Sequence, residues 1–309
     1  MYTIEVTDLT KAFDGKTVLG GISFRVREGE VFGFLGPNGA GKTTTMRILL
    51  GLLKPTSGMA LVEGEDPGAR DDIRGRIGVL LENNGLYARL NAYENLDYYA
   101  RIYRVPDRES RIQELLSFAG LQDAAQMPVG NFSTGMKRKL ALARAIIHDP
   151  AILFLDEPTT GLDPEAQAMV RDLIIDLSRE QKRTVFLNSH NLDEVSRICT
   201  NVAILHEGTI RAYDSVERLR GSPDAPVYAI TATTPEMAER ACEILRGYPG
   251  ILSCSRDGAG VTVSLALSDV PGMLREVIGG GVDVVEVTRM RRSLEEVYLD
   301  VVHRAGGAA

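Results

Sequence analysis

No stretch of this 309-residue chain is apolar enough to cross a membrane as a helix. Spanning takes about 20 mostly apolar residues, and the best window, Leu140 to Leu155, carries Arg144, His148 and Asp149. The opening MYTIEVTDLTKAF alternates like a strand and has neither a basic n-region nor an apolar h-region, so no secretory signal is read there. Cysteine is scarce. Cys199, Cys242 and Cys254 are odd in number and sit in no metal-ligand spacing, which points to a reduced, cytosolic protein. Positive charge is not in excess either: Lys plus Arg total 35 against 42 for Asp plus Glu, a formal charge of −7. That balance argues against a nucleic-acid binder built on a basic surface. Internal repeats and low-complexity tracts are missing as well.

What is there is the mixture of a globular chain with a real core, 44% apolar and 25% charged, and long enough for two or three domains. Up to about residue 220, strand-like and helix-like segments alternate. Glu30–Leu35, Ala151–Leu155 and Thr184–Leu187 are short apolar runs of the kind buried inside a parallel sheet. Lys42–Leu53 carries apolar residues at helical spacing, and the stretch from about Asn91 to Gln126 reads as helical, punctuated by Pro106. This grammar predicts an α/β domain over 1–220, with a helical subdomain at about 83–150.

Gly221-Ser-Pro-Asp-Ala-Pro226 is a turn-rich break that predicts a domain boundary. Beyond it, Val227–Thr233 reads as a strand and Pro235–Leu245 as a helix. The residues Val261, Val263, Leu265 and Leu267 alternate with Thr262, Ser264 and Ala266 as a half-buried strand does. A helix with Met273, Leu274, Val277 and Ile278 and a strand at Val284–Val287 follow, an order close to βαββαβ. A small α+β, ferredoxin-like domain over 227–309 is the expectation. Ser293 with Glu296 three residues on predicts a capping box opening a last helix.

Between the first apolar run and its helix lies Gly36-Pro-Asn-Gly-Ala-Gly-Lys-Thr43, which fits G-x-x-x-x-G-K-[ST] in the strand-to-helix setting that gives the pattern its meaning. Glycines let successive backbone N–H groups turn inward around phosphates, and the helix adds the positive end of its dipole. Lys42 is predicted to bring a point charge to the β and γ phosphates, and the Thr43 hydroxyl to ligate Mg²⁺. A second run, Ala151-Ile-Leu-Phe-Leu-Asp156-Glu157, ends in two carboxylates. Asp156 is predicted to hold Mg²⁺ through water, and Glu157 to polarise an attacking water.

Phe132-Ser-Thr-Gly-Met136, 23 residues ahead of Asp156 counted from Ser133, resembles the signature motif of the ATP-binding cassette (ABC) ATPases. Asp163 in Gly161-Leu-Asp-Pro164 is similar to that family's D-loop, and His190 after the Thr184–Leu187 strand to its switch histidine. Phe13 stands where the family has an adenine-stacking aromatic. The ordered set covers roughly residues 1–220 and identifies that part as an ABC-type P-loop NTPase. The resemblance implies ATP bound along Phe13 and Gly36, Pro37, Asn38, Gly39, Ala40, Gly41, Lys42, Thr43 and Thr44. It also implies catalysis by Glu157, His190 and Lys42, and Mg²⁺ held by Thr43, Glu82 and Asp156. A head-to-tail, ATP-dependent homodimer is implied too, each ATP being enclosed by the signature residues Ser133, Thr134 and Gly135 of the other copy.

Two motifs depart from the common pattern. Glu82 stands in place of the usual glutamine, adding one negative charge, and Phe132, Thr134 and Met136 replace the commoner Leu, Gly and Gln. Five tyrosines between Tyr87 and Tyr103 fall where relatives dock a helix of the membrane subunit, or else pack the helical subdomain. The C-terminal part, at Arg292-Ser-Leu-Glu-Glu-Val-Tyr-Leu-Asp300, resembles the extension of drug- and antibiotic-exporter ATPases.

The expected function is therefore an ATPase subunit at the cytoplasmic membrane face, driving export of a small hydrophobic molecule or drug through a separate membrane permease, with no nucleic-acid partner. The alternatives are a soluble ABC ATPase acting on nucleic acid or the ribosome, and a regulatory module that binds ATP but barely hydrolyses it. Only one motif set is present, and the 114 residues from Lys42 to Asp156 leave no room for a zinc or coiled-coil insert. Glu157 and His190 are both retained, which argues against the regulatory module.

Overall fold

The computed structural model describes residues 1–306 apart from positions 70, 82, 180–181, 222–225, 267–268 and 291, with backbone alone for Asp71 and 303–306. The chain divides into two compact units, one made of Met1–Val216 with the chain from Val301 onward, the other of Glu217–Asp300.

In the first unit, β1 (Tyr2–Phe13) and β2 (Lys16–Arg27) form an antiparallel hairpin. They are followed by β3 (Val31–Leu35), α1 (Lys42–Leu49), β4 (Ser57–Val62) and β5 (Ile77–Leu80). Three helices come next, α2 (Ala92–Ile102), α3 (Arg108–Phe118) and α4 (Thr134–Ala145). The remainder is β6 (Ile152–Asp156), α5 (Pro164–Arg179), β7 (Thr184–Ser189), α6 (Leu192–Ile198), β8 (Asn201–His206) and β9 (Thr209–Ser215), and the short α7 (Val216–Arg220) runs from its last residue into the second unit. A six-stranded sheet has the order β5-β6-β7-β3-β8-β9, parallel except for its last pair. A three-stranded antiparallel sheet, β2-β1-β4, covers it.

The apolar runs read from the sequence are the central strands: every residue of β3, β6 and β7 is buried, as parallel strands covered on both faces must be. Helix α1 is shorter than the predicted Lys42–Leu53. Gly51, at φ +66°, takes the left-handed turn that ends it, and Leu52 beyond is exposed. One aromatic cluster joins the two sheets. Phe24 of β2 stacks on Phe32 of β3 at 5.5 Å, and Phe186 of β7 lies within 6.0 Å of Phe24, Phe32, Phe34 and Phe154. All five rings are buried.

The helical part breaks around Pro106, as the sequence predicts. Asn91 opens α2 with a reciprocal capping box to Glu94. Asn95, fully buried, accepts from the Tyr87 N–H and donates to the carbonyls of Tyr87, Leu90 and Asn91, pinning the loop ahead of the helix. None of the five tyrosines is buried. Tyr87, Tyr98 and Tyr103 are exposed, Tyr93 and Tyr99 half-buried, and Tyr98 meets Tyr87 and Tyr99 edge-on at 5.0 and 5.3 Å.

The second unit runs β10 (Val227–Ala232), α8 (Pro235–Arg246), β11 (Ile251–Asp257), β12 (Gly260–Leu265), α9 (Val270–Gly279) and β13 (Val284–Met290), with α10 (Leu294–Gly306) following. Its sheet is antiparallel throughout, in the order β11-β12-β10-β13, the split βαβ arrangement. Strand β11 fills the place in the βαββαβ order for which the sequence reading names no residues. It lies at a sheet edge, and Ser253, Ser255, Arg256 and Asp257 on it are exposed, so no alternation marks it. Cys242 of α8 and Cys254 of β11 bring their sulfurs to 2.6 Å as free thiols. Burial, then the contact with Cys242, pushes the Cys254 thiol up to about 12. The capping box of α10 is present: Ser293 N–H donates to Glu296, and Glu296 N–H to the Ser293 hydroxyl.

The ring of Phe186 is the hub between the two sheets. Phe186→Ala is expected to cost about 3–5 kcal/mol in the unfolding of this unit, measured by denaturant titration. A loss below about 1 kcal/mol would mean that the cluster repacks freely.

Candidate functional site

Three parallel strands deliver the chemistry to one edge of the sheet. Strand β7 pairs with β3 on one side and β6 on the other, with Leu35 opposite Ser189 and Asp156 opposite Asn188. The chain therefore leaves β3 into the Gly36–Thr43 loop, leaves β6 at Glu157 and leaves β7 at His190, all at one level. Four sequence-predicted groups, Lys42, Asp156, Glu157 and His190, become neighbours for that reason.

The loop is built for close approach. Gly41 has φ +111°, and a Cβ there would stand 2.6 Å from Leu19 Cδ2. Gly36, Ala40 and Gly41 are buried, Pro37 and Thr44 half-buried, and Asn38, Gly39 and Thr43 exposed. A cavity of about 250 Å³ opens over the loop, walled by Val18, Pro37 to Gly39 and Gly41 to Thr44. Lys42 is buried, and its ammonium donates to the carbonyls of Gly36 at 2.7 Å and Pro37 at 3.3 Å. Burial lowers its pKa, while the Glu157 and Asp156 charges pull the other way. The cation is thus held at the loop's mouth, facing the two carboxylates that end β6.

Asp156 is buried and accepts from Asn188 Nδ2 at 2.6 Å. The other Asn188 side-chain atom, Oδ1, is buried with no hydrogen-bond partner. A polar atom left unmatched beside a carboxylate and a lysine suits a hydrated cation, whose waters donate hydrogen bonds. Thr43, exposed at the start of α1, offers its hydroxyl, so the donor set of Thr43 and Asp156 is the hard-oxygen chemistry that Mg²⁺ prefers. Glu82, the third predicted ligand, lies outside the described residues.

Glu157 sits in the left-handed region at φ +50°. One carboxylate oxygen meets His190 Nδ1 at 2.8 Å and the other accepts from the Thr160 hydroxyl at 3.0 Å. His190 is more than half exposed whereas Glu157 is largely covered, so the pair faces outward through its imidazole. The His190 turn is fixed from behind: Ser189 donates to Glu194 at 2.9 Å, and Asn191 N–H donates to the Ser189 hydroxyl. Burial raises the Glu194 pKa against the hydrogen bonds from Thr159 and Ser189.

The remaining predicted residues are placed apart from the loop. Ser133 and Thr134 are exposed at the start of α4, where the Ser133 hydroxyl accepts from Met136 N–H at 3.2 Å as an N-cap. Gly135 approaches α5 so closely that a Cβ would lie 3.0 Å from Ala166 Cβ. Asp163 is exposed and caps α5 through Ala166 N–H at 2.9 Å. Phe13 is exposed at the β1–β2 turn, with the Lys11 ammonium 4.8 Å from its ring centre. None of these side chains walls the cavity over Gly36–Thr43.

Two residues next to the chemistry escaped the reading of the sequence. Asn188 interrupts an otherwise apolar strand just ahead of its turn. Arg138 sits in the charged run Lys137-Arg-Lys139, which reads as a solvated face, yet it is 5% exposed. Its spacing to Ala141, Leu142 and Ala145, all buried on α4, is the signal that could have found it.

The family model described as ABC transporter matches residues 19–160. The chain is 35% identical over 300 residues to the uncharacterized ABC transporter ATP-binding protein YhcH of Bacillus subtilis, covering 96% of this chain and 95% of that one. It is 44% identical over 208 residues to the bacitracin transport ATP-binding protein BcrA of Bacillus licheniformis, covering 67% and 68%. Identity is 42% over 201 residues with the fluoroquinolones export ATP-binding protein Rv2688c of Mycobacterium tuberculosis, covering 65% and 66%. Among solved structures, CbiO1 of Clostridium perfringens, part of the ABC transporter complex CbiONQ, superposes with a TM-score of 0.66 at 29% identity, over 71% of this chain and 90% of that one. The cassette MJ0796, dimeric with ADP and Pi, does so at 0.62 and 26% identity, over 69% and 98%. The α/β unit with its phosphate loop, and a relative matched along nearly the whole of both chains, make this protein a member of the ABC transporter ATP-binding proteins and an ATPase of that family.

Proposed function

We propose that this chain hydrolyses ATP to drive export of a small hydrophobic compound or drug through a membrane-spanning subunit that is a separate polypeptide. Among the described residues no helix is long and apolar enough to span a membrane. Relatives named for bacitracin transport and fluoroquinolone export support the cargo class. The observation that carries the ATPase part is the meeting of Lys42, Asp156, Glu157 and His190 at one sheet edge. In this reading 1–220 is the ATPase domain and 227–309 an accessory domain without catalytic residues.

The N–H groups of Gly36–Thr43 and the start of α1 would cradle the phosphates, and Lys42 would turn its ammonium from the Gly36 and Pro37 carbonyls to the β and γ oxygens. Phe13 would stack on the adenine. Mg²⁺ held by Thr43 and Asp156, with Glu82 as the third expected ligand, would neutralise charge on the β and γ phosphates. Glu157 would accept the proton of an attacking water, and His190, hydrogen-bonded to it, would orient that carboxylate and reach the γ-phosphate. Ser133, Thr134 and Gly135 do not wall the cavity, which suits a site that the α4 N-terminus of a second copy would complete. That terminus carries about half a positive charge, suited to a γ-phosphate. Asp163, capping α5 beside Ala166 and Gly135, would set the approach of the two copies. The exposed tyrosines Tyr87, Tyr98 and Tyr103 offer an amphipathic surface for the membrane subunit at the cytoplasmic face.

Three outcomes test this reading. Lys42→Ala should lose ATP binding by calorimetry at least about 10-fold, since one charge-assisted contact is worth more than 1.4 kcal/mol; unchanged affinity would remove Lys42 from the site. Glu157→Gln should keep ATP binding, lose turnover about 100-fold or more, and sediment as a dimer only with ATP. Hydrolysis at the wild-type rate would sink Glu157 as the base, and a sedimentation profile indifferent to ATP would sink the composite site. Finally, the tagged chain drawn gently from native membranes should bring a polytopic membrane protein in stoichiometric amount. A purely soluble catch would overturn the transporter reading.

A further inference from the structure

A non-glycine residue in the left-handed region is strained by about 1–2 kcal/mol and persists only where its surroundings over-determine it. Glu157 is such a residue, and both ends of its backbone are tied. Its N–H donates to the Asn188 carbonyl at 2.8 Å, and its own carbonyl accepts from Arg138 Nη2 at 3.0 Å. The same guanidinium uses Nη1 to donate to the Leu81 carbonyl at 3.1 Å and to Asn84 Oδ1 at 2.9 Å. Those two residues flank position 82. Arg138 itself belongs to α4, one turn beyond the Ser133 cap.

A rigid planar fork holds three acceptors spread around it in one geometry, whereas the three donors of an ammonium rotate on a single nitrogen at the end of a flexible stem. A buried cation is costly unless its donors are matched, and three acceptors converge on this one. The geometry points to Arg138 as the positioning residue that locks Glu157 in its left-handed setting and ties that setting to the segment around Glu82 and to the helix that Ser133 opens. The inference rests on the proposed role of Glu157 as the group that activates water. Arg138 touches neither the phosphates' loop nor the carboxylate of Glu157 through these bonds; it acts on the peptide that aims the carboxylate. In the composite site proposed above one end of α4 would face a second copy, and the same strut would then give the approach of that copy a mechanical path to the base of the first.

The test compares Arg138→Met, which keeps the apolar stem, and Arg138→Lys, which keeps one cationic donor, in the full-length protein. Misplacing a catalytic group by about 1 Å can cost about 100-fold in rate. For Arg138→Met the turnover number should therefore fall at least about 10-fold, while KM and the calorimetric Kd for ATP stay within about 3-fold. Arg138→Lys should recover part of the lost turnover. Adding Arg138→Met to Glu157→Gln should not lower the residual single-turnover hydrolysis further, because the two act as one unit. Turnover within 2-fold of wild type for Arg138→Met, or loss of rate and ATP affinity together in both variants, would overturn the assignment, the second by reducing Arg138 to a packing role. If Glu157→Gln alone hydrolyses normally, the failure lies in the proposed base and not in Arg138.

Discussion

The parallel pairing of β7 between β3 and β6 is the constraint on which the rest of this molecule depends. A parallel register fixes the level at which each strand ends, so one hydrogen-bond ladder decides that Gly36, Glu157 and His190 emerge side by side. A slip of one residue would turn every side chain of a strand to the other face and carry the site with it. The register is defended by burial on both faces. Phe32, Phe34, Phe154 and Phe186 alternate with residues pointing to the opposite layer, and the ring of Phe24 from the covering sheet closes over them. The aromatic cluster is thus part of the chemistry's positioning although none of its rings touches the site.

Electrostatics at that edge is a balance kept by geometry. Lys42, Asp156 and Glu157 are brought together in partial burial, where an isolated charge would be costly. Each is relieved by a different device. Lys42 has backbone carbonyls, Asp156 has the amide of Asn188, and Glu157 has His190 and Thr160. These relieving groups are oriented dipoles fixed by strand and turn, so they need little rearrangement when phosphate charge arrives. His190 differs from the others in standing more than half exposed. It is the member of the set free to meet a partner from outside.

Much of this was legible in the residues. Short apolar runs bounded by turns located β3, β6 and β7 because a doubly covered parallel strand leaves no polar alternation. The Gly36–Thr43 loop was legible because its chemistry requires small residues and a lysine in consecutive order. Ser293 with Glu296 marks the start of its helix by the reciprocal logic of a capping box. What escaped was whatever depends on distant chain segments. Strand β11 pairs at an edge, and nothing in Ser253, Ser255, Arg256 and Asp257 announces a partner. Arg138 lies in a charged run whose local appearance is that of a surface, and only the meeting of α4 with Leu81, Asn84 and Glu157 turns it inward.

That asymmetry follows from how the two kinds of residue are specified. Groups that touch a ligand are chosen by the ligand's chemistry, which is local, and so they write a motif. Groups that hold the first set in place are chosen by the acceptors that folding happens to bring near, and many side chains could serve. In the proposed site Glu157 would be both kinds at once. Its carboxylate is readable from the end of β6, whereas its φ of +50° follows from two hydrogen bonds made by residues 19 positions before it and 31 after it. The strain at Glu157 is therefore the point where the readable site and the unreadable support meet. A left-handed non-glycine residue beside a buried guanidinium is the physical trace by which such support can be found once the fold is in hand.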